Sequence, residues 1–449
     1  MESSERKSVC IIGGGIAGLA SAVFLDAYGY KITLIERKPV LGGRTFSFKD
    51  KITGFEIDNG QHLLMGAYHE TLRLLDMIGS RSQILIPAKN RVPLINQMGE
   101  MDYFHIPQLP QPFNVLIAFL RLNCFSWKDK LNLFKIKKAL KNHNPQKFLK
   151  STVKQWLILM DQSEDAIINF WTPLTLATLN ESVDVASAHH LLTVLQKGLL
   201  GGAFDSQFLI PKKSLNALIG NPAQTYLEMR GHKIIKSTSA LHLHVLDNIV
   251  RELECSNGEK IKTDYFVSAL PPRGLLKIIP KGFVDSLTYF SGIKKLKFSP
   301  IISVNLWFDQ NFIPELFVGA SSTKTHWFFN KNRISDIQGP PYHYVGVLSA
   351  AYDLLETPGH VIKEMVLNDL YKLFPEGKKA KLLHSLVGKE REATICHSTE
   401  TETYRPFQQS PFENFFVTGD WTQTYLPATI ESAALSAKIA CGHIVSSFS

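Results

Sequence analysis

The sequence predicts an α/β fold in which a parallel sheet carries a nucleotide-binding turn near the N-terminus. Two observations support this prediction. Residues 8–38, SVCIIGGGIAGLASAVFLDAYGYKITLIERK, contain in succession an apolar strand, a glycine-rich turn, a helix and a second strand. Close to the other end, FFVTGD at 415–420 predicts a further strand, and the Ala- and Ser-rich stretch 428–445 predicts a helix that packs tightly on the sheet.

The glycines of the first turn match the Rossmann-type pattern G-x-G-x-x-G at Gly13, Gly15 and Gly18. The first permits a tight turn, the second lets a pyrophosphate approach the backbone, and the third lets helix and strand pack closely. The helix beginning at Ala17 presents free N–H groups to phosphate, and Glu36 after the second strand is suited to ribose hydroxyls. A plain glycine turn is the alternative, which the shared register of these elements disfavours.

The residues after the second strand narrow the choice of cofactor. They form the pattern E-R-x-x-x-x-G-G-R, with Glu36, Arg37, Gly42, Gly43 and Arg44 at its fixed positions. This pattern resembles the FAD-dependent amine oxidases and carotenoid desaturases. The resemblance implies FAD as the cofactor, with the two glycines and the arginine lying along its pyrophosphate and ribityl chain. The alternative is a simple turn followed by a solvated arginine.

A second motif, DNGQHLLMGAY at 58–68, indicates a narrower relationship. Together with the segment FENFFVTGDWTQTYLPATIESAALSAKIA at 412–440, it resembles the squalene-associated FAD enzymes, the hydroxysqualene dehydroxylases. The resemblance implies that Asn59 and Gly60 turn the chain beneath the flavin and present Gln61 and His62 to it. His62 is then the candidate proton donor in the reaction. Alternatively, it only orients FAD or bonds the backbone, and these two alternatives together are favoured over a catalytic role.

The C-terminal motif supplies further candidate cofactor ligands. Asp420, at the carboxyl end of its strand, is placed to bond a ribityl hydroxyl, and Gly419 allows close approach. The N–H groups near Thr429 and Ile430 begin a helix and can face the flavin or a phosphate. Glu431 lies in the first helical turn, where the helix dipole favours an acid.

The resemblance also implies a discontinuous architecture. A Rossmann-type FAD-binding domain would consist of 1–76, 212–272 and 400–449. An inserted α+β substrate domain, as in amine oxidases and phytoene desaturases, would consist of 77–211 and 273–399.

Apolar helices are expected in the first part of the insertion. The stretch 153–180 carries Trp156, Leu159, Phe170 and Trp171. Such side chains either line a hydrocarbon tunnel or form ordinary core, and core is the favoured interpretation.

The formal net charge is +9, and much of the positive charge is local. Residues 121–154 hold ten Lys or Arg and a single acid, Asp129. Within WKDKLNLFKIKKALKNH, a helix would place Leu133, Ile136 and Leu140 on one face. We expect peripheral membrane contact through this segment. The alternative is a solvated face of the inserted domain. No nucleic-acid partner is expected, because no recognised nucleic-acid module accompanies the charge.

The remaining features bear on reaction and location. The five cysteines show no CxxC or metal-finger spacing, which predicts a reduced cytosolic setting and no metal site. The resemblance implies that hydride from reduced FAD replaces the hydroxyl of hydroxysqualene, releasing water and squalene. It further implies a C30 isoprenoid substrate, squalene-pathway enzymes as partners, and a cytoplasmic location on the inner face of the cell membrane. A carotenoid or polyene desaturase, an amine oxidase and a non-catalytic flavin-binding protein are the alternatives.

Overall fold

The computed structural model describes residues 6–96, 98–107, 109–110, 113–141, 148–321 and 323–447. Its strands, numbered along the chain, are β1 Ser8–Ile12, β2 Lys31–Ile35, β3 Ser47–Lys49, β4 Glu56–Asp58, β5 Leu64–Met65, β6 Ile84–Leu85, β7 Arg91–Ile95, β8 Met101–His105, β9 Phe208–Pro211, β10 Lys233–Ile235, β11 Ala240–Leu246, β12 Ile249–Cys255, β13 Lys260–Ile261, β14 Tyr265–Ser268, β15 Phe298–Phe308, β16 Phe317–Ala320, β17 Trp327–Asn330, β18 Tyr342–Ser349, β19 Leu382–Ile395 and β20 Phe415–Val417. Its helices are α1 Ile16–Ala27, α2 His69–Met77, α3 Phe113–Leu120, α4 Trp127–Lys141, α5 Val153–Leu159, α6 Glu164–Ala166, α7 Thr172–Leu179, α8 Ala188–Val194, α9 Asn221–Met229, α10 Pro272–Ile278, α11 Lys281–Ser286, α12 Thr288–Ile293, α13 Lys331–Ser335, α14 Gly359–Leu373 and α15 Ile430–Ser446.

A parallel sheet with the order β10-β2-β1-β14-β20 forms the nucleotide-binding half of the molecule. Its strands come from three separate parts of the chain, as a discontinuous Rossmann-type domain requires. Successive apolar side chains of these strands point to opposite faces of the sheet. One face packs on α1, α2, α9 and α15. The other face packs on the β11–β13 sheet and on α10–α12. The predicted α/β fold is confirmed, whereas the exact domain boundaries stay a prediction.

A second, mostly antiparallel sheet has the order β19-β15-β18-β17-β16-β7-β8. It combines strands from both predicted parts of the inserted domain, because β7 pairs with β16 across the chain. Helix α14 covers one face of this sheet, and the helices between α3 and α8 cover the other. Strand β9 links the two halves of the molecule, since it pairs with both β5 and β6.

The aromatic side chains of the inserted helices form core. Phe170 and Trp171 pack edge to face at a centroid distance of 5.0 Å, and Trp156 meets Trp171 at 6.4 Å. All three are buried, whereas Leu159 is exposed. The core interpretation therefore fits three of the four residues considered, and the fourth lies on the surface.

Helix α4 contains six of the ten basic residues of the segment 121–154, of which residues 142–147 lie outside the described part of the chain. The apolar face expected from the sequence, formed by Leu133, Ile136 and Leu140, is buried in the core of the inserted domain. A different apolar row of the same helix is exposed. Among the described residues, none of the helices combines the length and apolar character needed to cross a bilayer.

Candidate functional site

The glycine-rich turn between β1 and α1 has the geometry that the motif predicts. Gly13 adopts a φ of +106°, which L-residues with side chains rarely adopt. A Cβ at Gly18 would lie 1.9 Å from the Gly13 carbonyl oxygen, so only glycine lets the helix approach the strand this closely. Gly15 is different, because a Cβ added there would have the Cα of Gly43 as its nearest neighbour, at 3.7 Å. The space above Gly15 is thus bordered by backbone.

The loop after β2 closes this space from the other side. Gly42 donates its N–H to the Gly14 carbonyl at 2.8 Å and forms a parallel bridge with Gly15. Gly43 has a φ of +64°, and a Cβ there would come within 2.9 Å of the Gly15 Cα. The two glycine loops therefore form a narrow backbone cradle at the N-terminus of α1, where a phosphate is favoured.

The acid after β2 is held in place by backbone amides. The buried carboxylate of Glu36 accepts hydrogen bonds from the N–H groups of Gly14 at 2.7 Å and Lys38 at 2.8 Å. The carboxylate is thus fixed beside the glycine turn with lone pairs remaining for a ribose. Arg37 is exposed at the surface next to it, and Ala17 is buried in the first turn of α1.

Two candidate residues from opposite ends of the chain meet at the rim of this cradle. The guanidinium of Arg44 forms an ion pair with the carboxylate of Asp420. It also donates to the Ala393 carbonyl at 2.7 Å, which connects the nucleotide-binding half to β19 of the second sheet. The amide of Asn59 reaches the Arg44 carbonyl at 3.3 Å and the Glu390 carboxylate at 3.2 Å. The predicted ligands are therefore brought together by contacts across both sheets.

The turn at Gly60 and Gln61 is fixed by a lysine that sequence reasoning missed. Lys331, the first residue of α13, donates to the Gln61 side-chain oxygen at 3.0 Å and pairs with the Asp58 carboxylate at 3.2 Å. Both charged side chains are largely buried, so each charge stabilises the other in a setting of low dielectric constant. The sequence around this lysine, HWFFNKNR, matches no motif. Only the tertiary pairing reveals it.

His62 bonds its own turn. Its Nδ1 lies 2.9 Å from the Gly60 carbonyl oxygen, and because a carbonyl only accepts, Nδ1 carries the proton and Nε2 is left as an acceptor. Burial lowers the pKa of His62, so the neutral ring is the stable form at neutral pH. The geometry favours the alternative in which His62 bonds the backbone over the one in which it donates a proton.

A small cavity opens beside the same turn. It is lined by Asp58, Gln61, Asn305, Lys331, His343 and Val345. His343 stacks on Trp307 at a centroid distance of 4.3 Å and bonds the Asn305 side-chain oxygen at 2.9 Å. Burial lowers the pKa of His343 to about 3, so this ring is neutral. The second sheet therefore lines this cavity with an amide, a neutral imidazole and an aliphatic side chain, next to the predicted flavin-facing turn.

The C-terminal candidates surround the start of α15. Gly419 has a φ of +149°, and its N–H donates to the Ser436 hydroxyl at 2.9 Å. Thr429 is the N-cap of α15 and accepts from the Ser432 N–H at 3.2 Å, directly before Ile430, the first residue of that helix. The Ser432 hydroxyl also donates to the Asp420 carbonyl at 3.1 Å. The helix N-terminus is thereby tied to the acidic ligand.

Glu431 has a second role beyond its place in the first turn of α15. Its carboxylate accepts from the N–H groups of Glu70 at 3.0 Å and Thr71 at 2.9 Å, which are free donors at the start of α2. Burial raises the pKa of Glu431, although these hydrogen bonds act to lower it. One acid thus joins the N-termini of two helices.

A buried arginine outside every motif holds the loop after β20. Arg405 donates to the backbone carbonyls of Asp420 at 3.1 Å, Thr422 at 2.6 Å and Leu426 at 2.8 Å. Its charge is balanced by Glu402, at 2.7 Å. Burial alone would raise the pKa of Glu402, but Arg405, His190 and Gln423 together lower that pKa to about 2. The loop that carries Asp420 is therefore locked by an ion pair that sequence reasoning did not identify.

The assembled site fits FAD. A backbone cradle that any side chain would fill lies at a helix N-terminus, a fixed carboxylate lies beside it, and Arg44 and Asp420 extend the site towards the second sheet. This arrangement provides donors for a pyrophosphate and partners for ribose and ribityl hydroxyls.

Comparisons with known proteins show which proteins this chain resembles in sequence and fold. The chain is 25% identical to the 15-cis-phytoene desaturase of Glycine max over 98% of its own length and 79% of that protein. It is 24% identical to the zeta-carotene desaturase of Synechocystis over 97% of both chains. An oxidoreductase from Methanosarcina mazei has the same fold, with a TM-score of 0.76, 18% identity and coverage of 96% and 99% of the two chains. Putrescine oxidase bound to putrescine superposes with a TM-score of 0.72 at 13% identity, over 98% and 99% of the two chains.

The model of the family described as flavin containing amine oxidoreductase matches residues 16–445. That match spans both halves of the molecule and includes the candidate ligands from Ala17 to the C-terminal helix. The protein is an FAD-dependent oxidoreductase, and the chain belongs to the flavin-containing amine oxidoreductase family.

Proposed function

We propose that this protein transfers hydride between FAD and a long isoprenoid hydrocarbon, and that its reaction is desaturation of a polyene. The supporting observation is that the similarity to phytoene and zeta-carotene desaturases runs through 98% and 97% of the chain. It therefore includes the inserted domain, where a substrate of this family would be bound, and not only the nucleotide-binding half.

When bound, FAD supplies the hydride acceptor or donor, and the side chains orient it and set the electrostatics. Arg44 and Asp420 would hold its ribityl and pyrophosphate section. The Asp58–Lys331 pair and Gln61 fix the turn beside it. Because both cations are paired, the site keeps little unbalanced charge next to an apolar substrate.

The protonation state of His62 supports the oxidative direction. Desaturation removes a hydride and a proton from adjacent carbons, so it needs a proton acceptor. The neutral ring with its proton on Nδ1 offers Nε2 as such an acceptor. Loss of a hydroxyl as water needs a donor instead, and Nε2 in this tautomer carries no proton to give.

Reductive dehydroxylation of hydroxysqualene to squalene is the second candidate. The motif DNGQHLLMGAY at 58–68 supports it, because this motif resembles the hydroxysqualene dehydroxylases. The turn that it forms contacts the Arg44 carbonyl and Lys331. In that reaction, the proton for the departing water would come from another group than His62 Nε2, such as the Lys331 ammonium.

The two candidates are separated by assaying the purified FAD-loaded protein in both directions. One arm incubates oxidised enzyme with phytoene or zeta-carotene and a quinone acceptor and measures new conjugated double bonds by absorbance. The other incubates reduced enzyme with hydroxysqualene under anaerobic conditions and measures squalene by mass spectrometry. Desaturation alone supports the first candidate, and squalene alone replaces it with the second. Hydrogen peroxide release from amines, with neither isoprenoid reaction, would overturn both.

A further inference from the structure

Helix α4 exposes a row of large apolar side chains. Trp127, Leu131 and Phe134 are 79%, 67% and 61% exposed. They are spaced four and seven residues apart, which places them on a single face of a helix with 3.6 residues per turn. A tryptophan, a leucine and a phenylalanine in one solvent-facing row form a contiguous apolar surface, which marks an interaction site.

The exposed row is not the face through which α4 packs into the protein's own core. The opposite face of α4 already packs through Leu133, Ile136 and Leu140. The side chain of Asn132 also donates to the Asp161 carbonyl at 3.0 Å, and the N-terminus of the helix is fixed by Asp129, which accepts from the Ser126 N–H at 2.9 Å. The helix is therefore held rigidly with its second apolar face outward.

The neighbouring helix extends the same surface. Ile158 and Leu159, at the end of α5, are 60% and 64% exposed. They lie three and two residues before Asp161, whose carboxylate forms an ion pair with Lys135 of α4. We call the surface formed by Trp127, Leu131, Phe134, Ile158 and Leu159 the α4–α5 patch.

Lysines frame the exposed row on both sides. At 100° per residue, Lys128 and Lys135 flank it on one side and Lys130 and Lys137 on the other. The Lys130 ammonium lies 5.3 Å from the centre of the Trp127 ring. The acid of this helix, Asp129, is buried and bonded to Ser126 and Ser163, so it does not offset the charge at the surface. Asp161 offsets the charge of Lys135 and leaves Lys128, Lys130 and Lys137 to supply the positive charge.

We propose that the α4–α5 patch docks on the surface of an anionic lipid bilayer, with α4 lying in the plane of the interface. An apolar row between two lines of lysine is complementary to this surface. The row enters the acyl boundary, while the ammonium groups extend to anionic headgroups. Tryptophan is suited to this boundary because its ring is amphipathic. This docking goes beyond the proposed reaction, because it requires neither substrate nor a particular redox state.

The test uses the full-length FAD-loaded protein and vesicles without substrate. Binding is measured by flotation with phosphatidylcholine vesicles and with vesicles that contain phosphatidylglycerol. One variant, Trp127→Ser/Leu131→Ser/Phe134→Ser, removes the exposed row. Its matched control, Ile52→Ser/Leu246→Ser/Met229→Ser, removes equally exposed apolar residues from the nucleotide-binding half.

A second pair of variants tests the charge. Lys128→Gln/Lys137→Gln/Lys138→Gln changes exposed lysines of α4, and Lys372→Gln/Lys378→Gln/Lys379→Gln changes the net charge equally elsewhere. Since each lysine near an anionic membrane contributes about 1 kcal/mol, the first variant should weaken partitioning about a hundredfold, and the control should not. FAD absorbance confirms that all four variants are folded.

We expect the wild type to bind anionic vesicles. Binding should fall at least tenfold in the variant without the exposed row and should be unchanged in both control variants. Binding that is equal for all variants would overturn the proposal. So would a protein that binds no vesicle and self-associates through the patch, as seen by sedimentation. None of these outcomes depends on turnover, so failure of the proposed reaction would leave this test intact.

Discussion

Arg44 and Asp420, separated by 376 positions in the chain, form an ion pair at the rim of the glycine cradle. One comes from the loop after the second strand and the other from the loop after the last strand of the same parallel sheet. The pair is completed by a bond from Arg44 to the Ala393 carbonyl of the second sheet. We therefore expect one guanidinium to couple cofactor binding to the relative position of the two halves.

Replacing Arg44 by Met should weaken FAD binding about tenfold to a hundredfold, because a charge-assisted hydrogen-bond partner is lost. The ratio of flavin to protein absorbance after gel filtration, followed by FAD titration, measures this. Arg391→Met is the matched control, since Arg391 pairs with Glu356 at the surface. Full FAD retention in Arg44→Met would remove this residue from the cofactor site.

Two glycine variants should separate folding from cofactor binding. In Gly15→Ala, the new Cβ would meet its nearest neighbour at 3.7 Å, an ordinary contact, so the fold should persist while pyrophosphate approach is blocked. In Gly18→Ala, the Cβ would lie 1.9 Å from a carbonyl oxygen, which should cost about 1–3 kcal/mol of stability or more. Urea unfolding and flavin absorbance measure the two effects. Equal FAD content in Gly15→Ala and wild type would contradict the placement of the phosphate.

The fold of the nucleotide-binding half and the local geometry around its candidate ligands were predictable because their determinants are local. The turn at Gly13 and the helix start at Thr429 follow from backbone requirements that a few neighbouring residues reveal. Lys331 and Arg405 were not predictable, because their roles come from partners distant in the chain, such as Asp58 and the loop after β20.

The basic helix shows a different limit. Its sequence contains two apolar rows, and periodicity alone does not say which one packs inside. The row that includes Leu133 and Ile136 was the obvious candidate surface, but it is buried, and the row that includes Trp127 and Phe134 faces solvent. The choice depends on the helices that α4 meets, which only the tertiary structure defines.

Glu402→Gln should destabilise the protein by about 3–5 kcal/mol, because it leaves the buried Arg405 guanidinium without its counter-charge. Urea unfolding of the FAD-free protein measures this without any contribution from cofactor affinity. The exposed variant Glu356→Gln should leave the unfolding midpoint unchanged. A midpoint for Glu402→Gln as high as that of the control would show that the backbone carbonyls around Arg405 stabilise its charge without Glu402.

His62→Phe should retain FAD, because the ring bonds the Gly60 carbonyl and supplies no ligand that the glycine cradle lacks. If Nε2 is the proton acceptor, the turnover rate should fall at least about a hundredfold, the contribution typical of general base catalysis. The pH–rate profile of the wild type should then rise through a pKa below 6.5, since burial lowers the pKa of this ring. Near-normal turnover in His62→Phe would assign the residue to the structure of the turn alone.

His397 should make the fold sensitive to mild acid. Its Nδ1 bonds the Leu179 carbonyl at 2.8 Å, and its Nε2 accepts from the Ala428 N–H at 2.8 Å, so the neutral ring joins the inserted domain to the loop before α15. Burial lowers the pKa of His397 from 6.5 to about 4. A base whose pKa is lower in the folded state binds fewer protons there than in the unfolded chain. Its stabilisation is therefore complete above pH 6.5 and is lost as the pH falls towards 4.

The loss from this histidine amounts to roughly 3 kcal/mol across that interval, since each pKa unit corresponds to about 1.4 kcal/mol. Urea unfolding at a series of pH values from 8 to 4 measures it. In His397→Gln, whose amide can donate to one backbone partner and accept from the other, the wild-type slope between pH 6.5 and 4 should become shallower, although stability at pH 8 should be slightly lower. An identical slope in the variant would mean that other groups, such as His326, whose burial likewise lowers its pKa to about 4, account for the acid sensitivity.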